Sequence, residues 1–275
     1  DAQSLHIDDM PFSAQGFSVE KEISLAKYTS TLLQCDNCGH IQLDSDPVSY
    51  YKKVIRSVGI SEEMRSYRKD QFNKIHKHYF NRIGEIKVLE VGSASGDYSK
   101  ILSEEFSNVL ATEKGVEGRK LTMHKGIECI NTHPDDLDFK AKLKEYIHFD
   151  LICCFSYIEH LPSPNKTLSI FNELLSDNGY MLIELPNSEM IFRNGLLNEI
   201  IPDHLSYFTT NTATNMISKV GLEVINTTTS WNDYIITLVC RKKTVRPLER
   251  MRSKYNNFKK DLEELINHEL KECKT

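Results

Sequence analysis

From Ile86 onward, short apolar runs rich in β-formers alternate with helix-forming stretches, and this alternation limits the fold more than any other feature of the chain. "IKVLEVG" (86–92) precedes the helical "DYSKILSEEF", and "NVLATE" (108–113) precedes "GRKLTMHKG". "IECINT" (127–132) is followed by "DLDFKAKLKEYI", "FDLICCFS" (149–156) by "SPNKTLSIFNELLSDNG", and "YMLIELP" (180–186) by a loop and "TTNTATNMISKVG". Strands that alternate with helices at this spacing predict parallel pairing with right-handed crossovers, a doubly wound α/β sheet. A barrel would need eight such units, and here the pattern changes after about five. "LEVINTTTSW" and "YIITLVCRK" then read as two strands antiparallel to one another, which completes a seven-stranded sheet. Gly179 reads as closing the fourth helix, and Thr210 or Asn211 as capping the last one.

The flanks differ from this body. Residues 1–45 read as an irregular, turn-rich segment. Residues 46–82 read as a helical linker or lid, with Val54, Ile55, Val58, Met64, Phe72 and Ile75 spaced loosely at the helical period. Residues 83–243 are the α/β domain, and 244–275 a helical tail. Tyr255, Phe258, Leu262, Leu265 and Ile266 form a stripe on that tail, while Lys and Arg dominate its other side. The stripe suits docking on the body of the chain or on a second copy in a homo-oligomer; the basic side would suit a phosphorylated substrate. Net charge is −5 over 275 residues, against a general nucleic-acid-binding surface. No apolar run approaches the ~18 residues of a membrane span, and the first residues lack a basic stretch followed by an apolar one. The seven cysteines show no disulfide framework, and a reducing cytoplasm is the expected compartment.

Candidate chemistry gathers where strands end. The first strand runs into "EVGSASG", where Gly92 and Gly96 permit a tight turn beneath a ligand. Position 94 is alanine, and Glu90 stands two residues before the first glycine, where a carboxylate would repel a pyrophosphate yet receive a cationic or polar group. Glu113 ends the second strand, about twenty residues on, at a spacing that suits a ribose diol in either a nicotinamide or an S-adenosyl cofactor. Asp135 and Asp136 follow the third strand, within reach of an adenine amino group, and "SYIEHLP" follows the fourth.

"VLEVGSASGDYSKIL", the acid of "LATE", "FDLICCFSYIEHLPSPNKTL" and "LLSDNGYMLIELPN" resemble class I S-adenosylmethionine-dependent methyltransferases. The order of a CxxCG pair, the glycine turn, "EHLP", "ELPN" and "DHLSYF" is similar to the group containing the sugar C-methyltransferases of antibiotic biosynthesis, over roughly residues 10–240. The resemblance implies a Rossmann-like fold and S-adenosyl-L-methionine as cofactor. It implies Glu90, Gly92 and Gly96 around the methionine and ribose, Glu113 on the ribose hydroxyls, Asp135 or Asp136 near adenine, and Ser156 beside the cofactor. Glu159 and His160 belong to the "EH" signature. His204 matches a substrate-side histidine, a candidate base, with Tyr207 as its neighbour and a nucleotide-linked sugar as one acceptor class.

From the residues themselves, His204 suits proton removal from a hydroxyl or from a carbon beside a ketone, and Asp203 suits orienting it. The alternative is a loop histidine with Tyr207 and Phe208 as anchors. His160 divides likewise between a structural hydrogen bond and substrate contact, whereas His76 and His78 read as surface residues. Cys35 and Cys38, in "LQCDNCGH", form a knuckle suited to two ligands of a zinc ion. The resembled enzymes bring a further CxxC from earlier in the chain, and no cysteine precedes Cys35 here. A zinc site completed by His6 or His40, an empty retained turn and a redox dithiol all stay open. The expected function is methyl transfer to a small polar acceptor. Two rivals are a nicotinamide-dependent sugar-modifying enzyme, disfavoured by Glu90 and Ala94, and a non-catalytic scaffold that would bind cofactor poorly.

Overall fold

The computed structural model describes residues 2–11, 27–52, 59–80, 84–243, 262–264 and 266. Three strands open the chain, β1 (Ala2–Pro11), β2 (Lys27–Cys35) and β3 (Ile41–Leu43), followed by α1 (Glu62–Tyr79). The α/β body then runs β4 (Lys87–Val91), α2 (Asp97–Glu105), β5 (Asn108–Thr112), α3 (Val116–His124), β6 (Glu128–Ile130), α4 (Phe139–Lys142), β7 (Phe149–Phe155), α5 (Pro164–Leu174) and β8 (Leu175–Pro186). After α6 (Ser188–Arg193), the two-residue β9 (Ser206–Tyr207) and α7 (Thr210–Lys219), the strands β10 (Leu222–Ser230) and β11 (Ile235–Lys242) close the body.

The large sheet has the order β6-β5-β4-β7-β8-β11-β10. Its first five strands are parallel, and β11 inserts antiparallel between β8 and β10. Central parallel strands are covered by helices on both faces, which is why "LICC" can be apolar without alternation. The pleat still sorts its side chains. Ile152 and Cys154 join Phe171 and Ile217 in one core, while Leu151 and Cys153 join Phe72, Ile75 and Leu102 in the other. Both cysteines are fully buried. The chain winds outward from β4 in one direction and from β7 in the other, so the crevice between their carboxyl ends is the switch point where such sheets take ligands.

Three expectations are corrected. The described residues up to 45 are not irregular: β1, β2 and β3 form, with β9, a second, antiparallel sheet. Leu5 and Ile7 alternate inward there, but their partners on β2 lie more than twenty residues away, beyond any local signal. The fourth helix ends at Leu174, not at Gly179, because Gly179 lies inside β8, where an added Cβ would stand 2.8 Å from the Phe149 carbonyl. The cap of α7 is Thr209, whose hydroxyl takes the Thr212 amide at 3.2 Å in a reciprocal capping box. Val54, Ile55 and Val58 lie outside the described residues, as do most of 244–275. Of the tail's stripe, Leu262 is buried and Ile266 packs beside it, both against the core of the small sheet, so this part of the stripe docks on its own chain. No described helix is long and apolar enough to cross a membrane.

Candidate active site

The site begins with the turn after β4. Gly92 (φ 74°) and Gly96 (φ 75°) both lie in the left-handed region. A Cβ on Gly92 would meet the Tyr157 ring at 2.5 Å, and one on Gly96 would meet the Thr122 backbone at 2.7 Å, so conformation and space both demand glycine. Ala94 holds φ 48° between them. The turn is tied to the next strand, with the Gly92 and Ser93 amides both donating to the Thr112 carbonyl at 3.0 Å.

Glu113, at the end of β5, accepts the Ala94 amide at 2.9 Å and the Gly115 amide at 2.6 Å. Burial raises its carboxyl against these donors. These amides do not fill both carboxylate oxygens, and the remaining lone-pair capacity is what a ribose diol can use. Glu90 sits beneath the turn, 2% exposed, and takes the Ser99 hydroxyl of α2. Burial pushes it up to about 7.

Asp135 and Asp136 are separated by their partners. Burial alone would raise Asp136, but Lys114 at 2.7 Å, the His133 amide at 3.0 Å and Lys52 at 3.2 Å pull its carboxyl down to about 2. Asp135 takes the Tyr51 hydroxyl at 3.2 Å, and the same oxygen lies 4.0 Å from Nδ1 of His133. Tyr51 and Lys52 thus lie over the third-strand corner, with Tyr51 edge-on to His133. Ser156, at the carboxyl end of β7, is exposed and holds φ 44°.

Ser156 leads into a single 3-10 turn, Ile158–His160. The loop from 200 meets this turn through β9 and the small sheet. Gln42 pairs with Ser206, the Leu43 amide donates to the Leu205 carbonyl at 3.0 Å, and the Leu205 amide donates to the Glu159 carbonyl at 2.8 Å. The result brings His160 and His204 edge to face, 4.8 Å between ring centres. His160 places Nδ1 2.7 Å from the Asp203 carbonyl and its Nε2 3.9 Å from a Glu159 oxygen. Burial holds His160 below the usual histidine range, and burial with the neighbouring His160 lowers His204 to about 3, against its hydrogen bond to the Glu199 carbonyl. Glu159 is 1% exposed, and burial lifts it to about 8.

The structure therefore brings His204 and His160 together but gives Tyr207 another task. Its hydroxyl accepts the Ile201 amide at 3.2 Å and reaches the Glu199 carbonyl at 3.4 Å, which staples the loop. The ring packs in the small sheet's core, and the hydroxyl holds the 199–201 backbone of the loop that carries His204. Asp203 does not orient His204 with its side chain, which takes the Tyr50 hydroxyl at 3.2 Å. His76 is half-buried and bonds Glu105 at 2.6 Å.

Between Cys35 and Cys38 the chain makes a turn, closed by the Gly39 amide donating to the Cys35 carbonyl at 2.8 Å. The Cys38 and Asn37 amides lower the Cys35 thiol. No third or fourth ligand joins the pair among the described residues: the group of three or more histidines, cysteines and acids found there is Glu159, His160 and His204. His6, offered as a substitute, bonds Thr31 at 3.0 Å.

Sequence reasoning passed over the buried pair of Arg68 and Glu184, Nη2 to Oε2 at 2.5 Å. Gln71 and Thr237 also donate to Glu184, at 2.6 and 3.1 Å, and the guanidinium lies 4.3 Å over the Tyr98 ring and 4.4 Å over Phe155. This pins α1 to the carboxyl end of β8, beside the turn. The acid in "ELPN" was the available signal, an ionisable residue closing an apolar strand.

A family model described as "Methyltransferase domain" matches residues 64–227. Among solved structures, an S-adenosylmethionine-dependent methyltransferase from Clostridium acetobutylicum is similar with a TM-score of 0.52 at 12% identity, covering 65% of this chain and 92% of that one. The plantazolicin methyltransferase BpumL, solved with S-adenosylhomocysteine, gives 0.53 at 12%, covering 66% and 84%. At that identity the likeness is one of fold. A polyamine export protein of Salmonella typhimurium is 27% identical over 119 residues, 43% of this chain, and the match spans only 25% of that protein's length.

Proposed function

Since the chain belongs to the methyltransferase-domain family and has the fold of an S-adenosylmethionine-dependent methyltransferase, we propose that it transfers the methyl group of S-adenosyl-L-methionine to a small polar acceptor, with His204 on the acceptor side. Gly92 and Gly96 let the cofactor approach the backbone, Glu113 receives the ribose hydroxyls, Glu90 lies below its cationic end, and Asp135 is the acid left for the adenine amino group. The acid beneath the turn and the alanine at 94 speak against a nicotinamide pyrophosphate.

The observation that carries the reading is the meeting of His160 and His204 just past Ser156, at the carboxyl edge of the sheet. Methyl transfer breaks the carbon–sulfur bond, forms a bond from carbon to the acceptor atom, and releases the acceptor's proton. His204 is the candidate base for that proton by its position against His160, and burial, which lowers it to about 3, opposes that role. A nucleotide-linked sugar is the acceptor class favoured by the order of motifs. Free thiols at Cys35, Cys38, Cys129, Cys153, Cys154 and Cys240 suit a reducing, cytoplasmic setting.

Calorimetric titration with S-adenosylhomocysteine, alongside NADH, tests the cofactor: binding of the former alone is expected. With nucleotide sugars as acceptors, His204→Ala is expected to lower turnover by roughly 10²-fold or more with S-adenosylhomocysteine affinity retained. An unchanged rate would remove His204 from the mechanism.

A further inference from the structure

We infer that Glu159, His160 and His204 form a binding site for a divalent first-row transition-metal cation. One ligand atom from each lies within 4.8 Å of the others. A tetrahedral site with bonds of about 2.1 Å separates its ligands by about 3.4 Å, so each side chain closes by less than about 1 Å. Two imidazoles and a carboxylate form a donor set that suits zinc, iron, manganese or cobalt in the divalent state.

Glu159 supplies the independent observation. It is 1% exposed, and neither of its oxygens has a hydrogen-bond partner among the described residues. A buried carboxyl without partners is costly, and such groups in folded proteins call for an explanation, a bound ion being one. A cation between the two imidazoles would satisfy both oxygens and hold the group ionised.

His160 is supported as a ligand is. His160 gives Nδ1 to the Asp203 carbonyl at 2.7 Å, which fixes the ring and leaves Nε2 for the cluster. Outer contacts of this kind set the tautomer and orientation of metal-bound histidines. Three protein ligands leave coordination positions open, as in catalytic and not closed structural sites.

The role of the cation, though not its binding, rests on the methyl-transfer reading. An acceptor hydroxyl bound at an open position would lose its proton to water more readily. The oxygen then takes the methyl carbon as the carbon–sulfur bond breaks. His204 in this form promotes deprotonation as a ligand, in place of taking the proton itself.

The test is a cobalt(II) titration of chelator-treated full-length protein, followed by its visible absorption, with S-adenosylhomocysteine calorimetry on the same samples. One equivalent of cobalt is expected to bind without thiolate charge-transfer bands and to be displaced by zinc. Glu159→Gln and His204→Gln should each weaken binding at least tenfold with S-adenosylhomocysteine affinity retained, and the paired Cys35→Ser, Cys38→Ser variant should leave the spectrum unchanged. Should a ligand variant fail to fold, the spectrum of the unaltered protein decides between imidazole and thiolate ligation. Absence of cobalt binding in protein that binds S-adenosylhomocysteine would overturn the site, as would thiolate bands or binding that survives both ligand variants. Cobalt binding that depends on Glu159 and His204 without S-adenosylhomocysteine binding would keep the site and sink the methyl-transfer reading.

Discussion

Glu90 shows how one side chain links the pH response to the cofactor site. An unfolded glutamate titrates near 4.3, whereas burial lifts Glu90 in the native chain to about 7. Between those values the native state binds the extra proton, so its contribution to stability is fully present below the unfolded pKa. It declines as pH rises and is lost once pH passes about 7, a change of roughly 4 kcal/mol at most. Glu90→Gln keeps a carbonyl for the Ser99 hydroxyl and removes the titration. Urea unfolding at pH 5 and pH 8 is expected to show the variant gaining on the parent at the higher pH; an equal difference at both would refute the assignment. At Gly96, alanine would meet both a left-handed backbone and the Thr122 backbone at 2.7 Å. Gly96→Ala is therefore expected to lower stability by more than about 1 kcal/mol and to abolish S-adenosylhomocysteine binding in calorimetry. Both glycines and the acid were legible in the sequence, because such a turn needs glycine whatever surrounds it. The isolation of Glu159 was not, because a missing partner is a property of the interior.

At the scale of elements, two contacts position the site. The first is α1 on β8 through Arg68 and Glu184, which are 4% and 2% exposed. Burial would lower the guanidinium's affinity for its proton, and Glu184 outweighs that. Removing one partner strands a buried charge, so Arg68→Met is expected to cost about 3–5 kcal/mol in chemical denaturation. Adding Glu184→Leu to it should recover much of the loss, and a double variant no better than the single would deny the coupling. The second contact is β3 on β9, two residue pairs that seat the loop carrying His204. Ile41→Pro removes a ladder donor and restricts the strand. It is expected to cut turnover while S-adenosylhomocysteine still binds, because the cofactor turn belongs to the other sheet. The alternating body was readable by period alone. The small sheet was not, since β1 pairs with β2 across a separation of more than fifteen residues and β3 pairs with β9 across more than 160.

Across the whole molecule, the N-terminal sheet, the 200–208 loop and the docked residues of the tail share one core of Leu5, Ile7, Leu32, Ile41, Tyr207 and Leu262. Leu262 is 1% exposed there. Leu262→Ala is expected to destabilise by about 2–5 kcal/mol if the cavity stays open, and to speed limited proteolysis of the tail. A cleavage rate equal to the parent's would mean that the contact does not hold the tail. The sequence by itself determined the doubly wound sheet and the glycine turn with its carboxylates, because periodicity and backbone conformation are local quantities that residue type controls directly. Only the tertiary structure decided which polar side chains meet. It tied Asp136 to two lysines, turned Tyr207 into an anchor, and gathered Glu159, His160 and His204 from segments more than forty residues apart. Those outcomes depend on long-range strand pairing and on desolvation, and neither is written in the order of neighbouring residues.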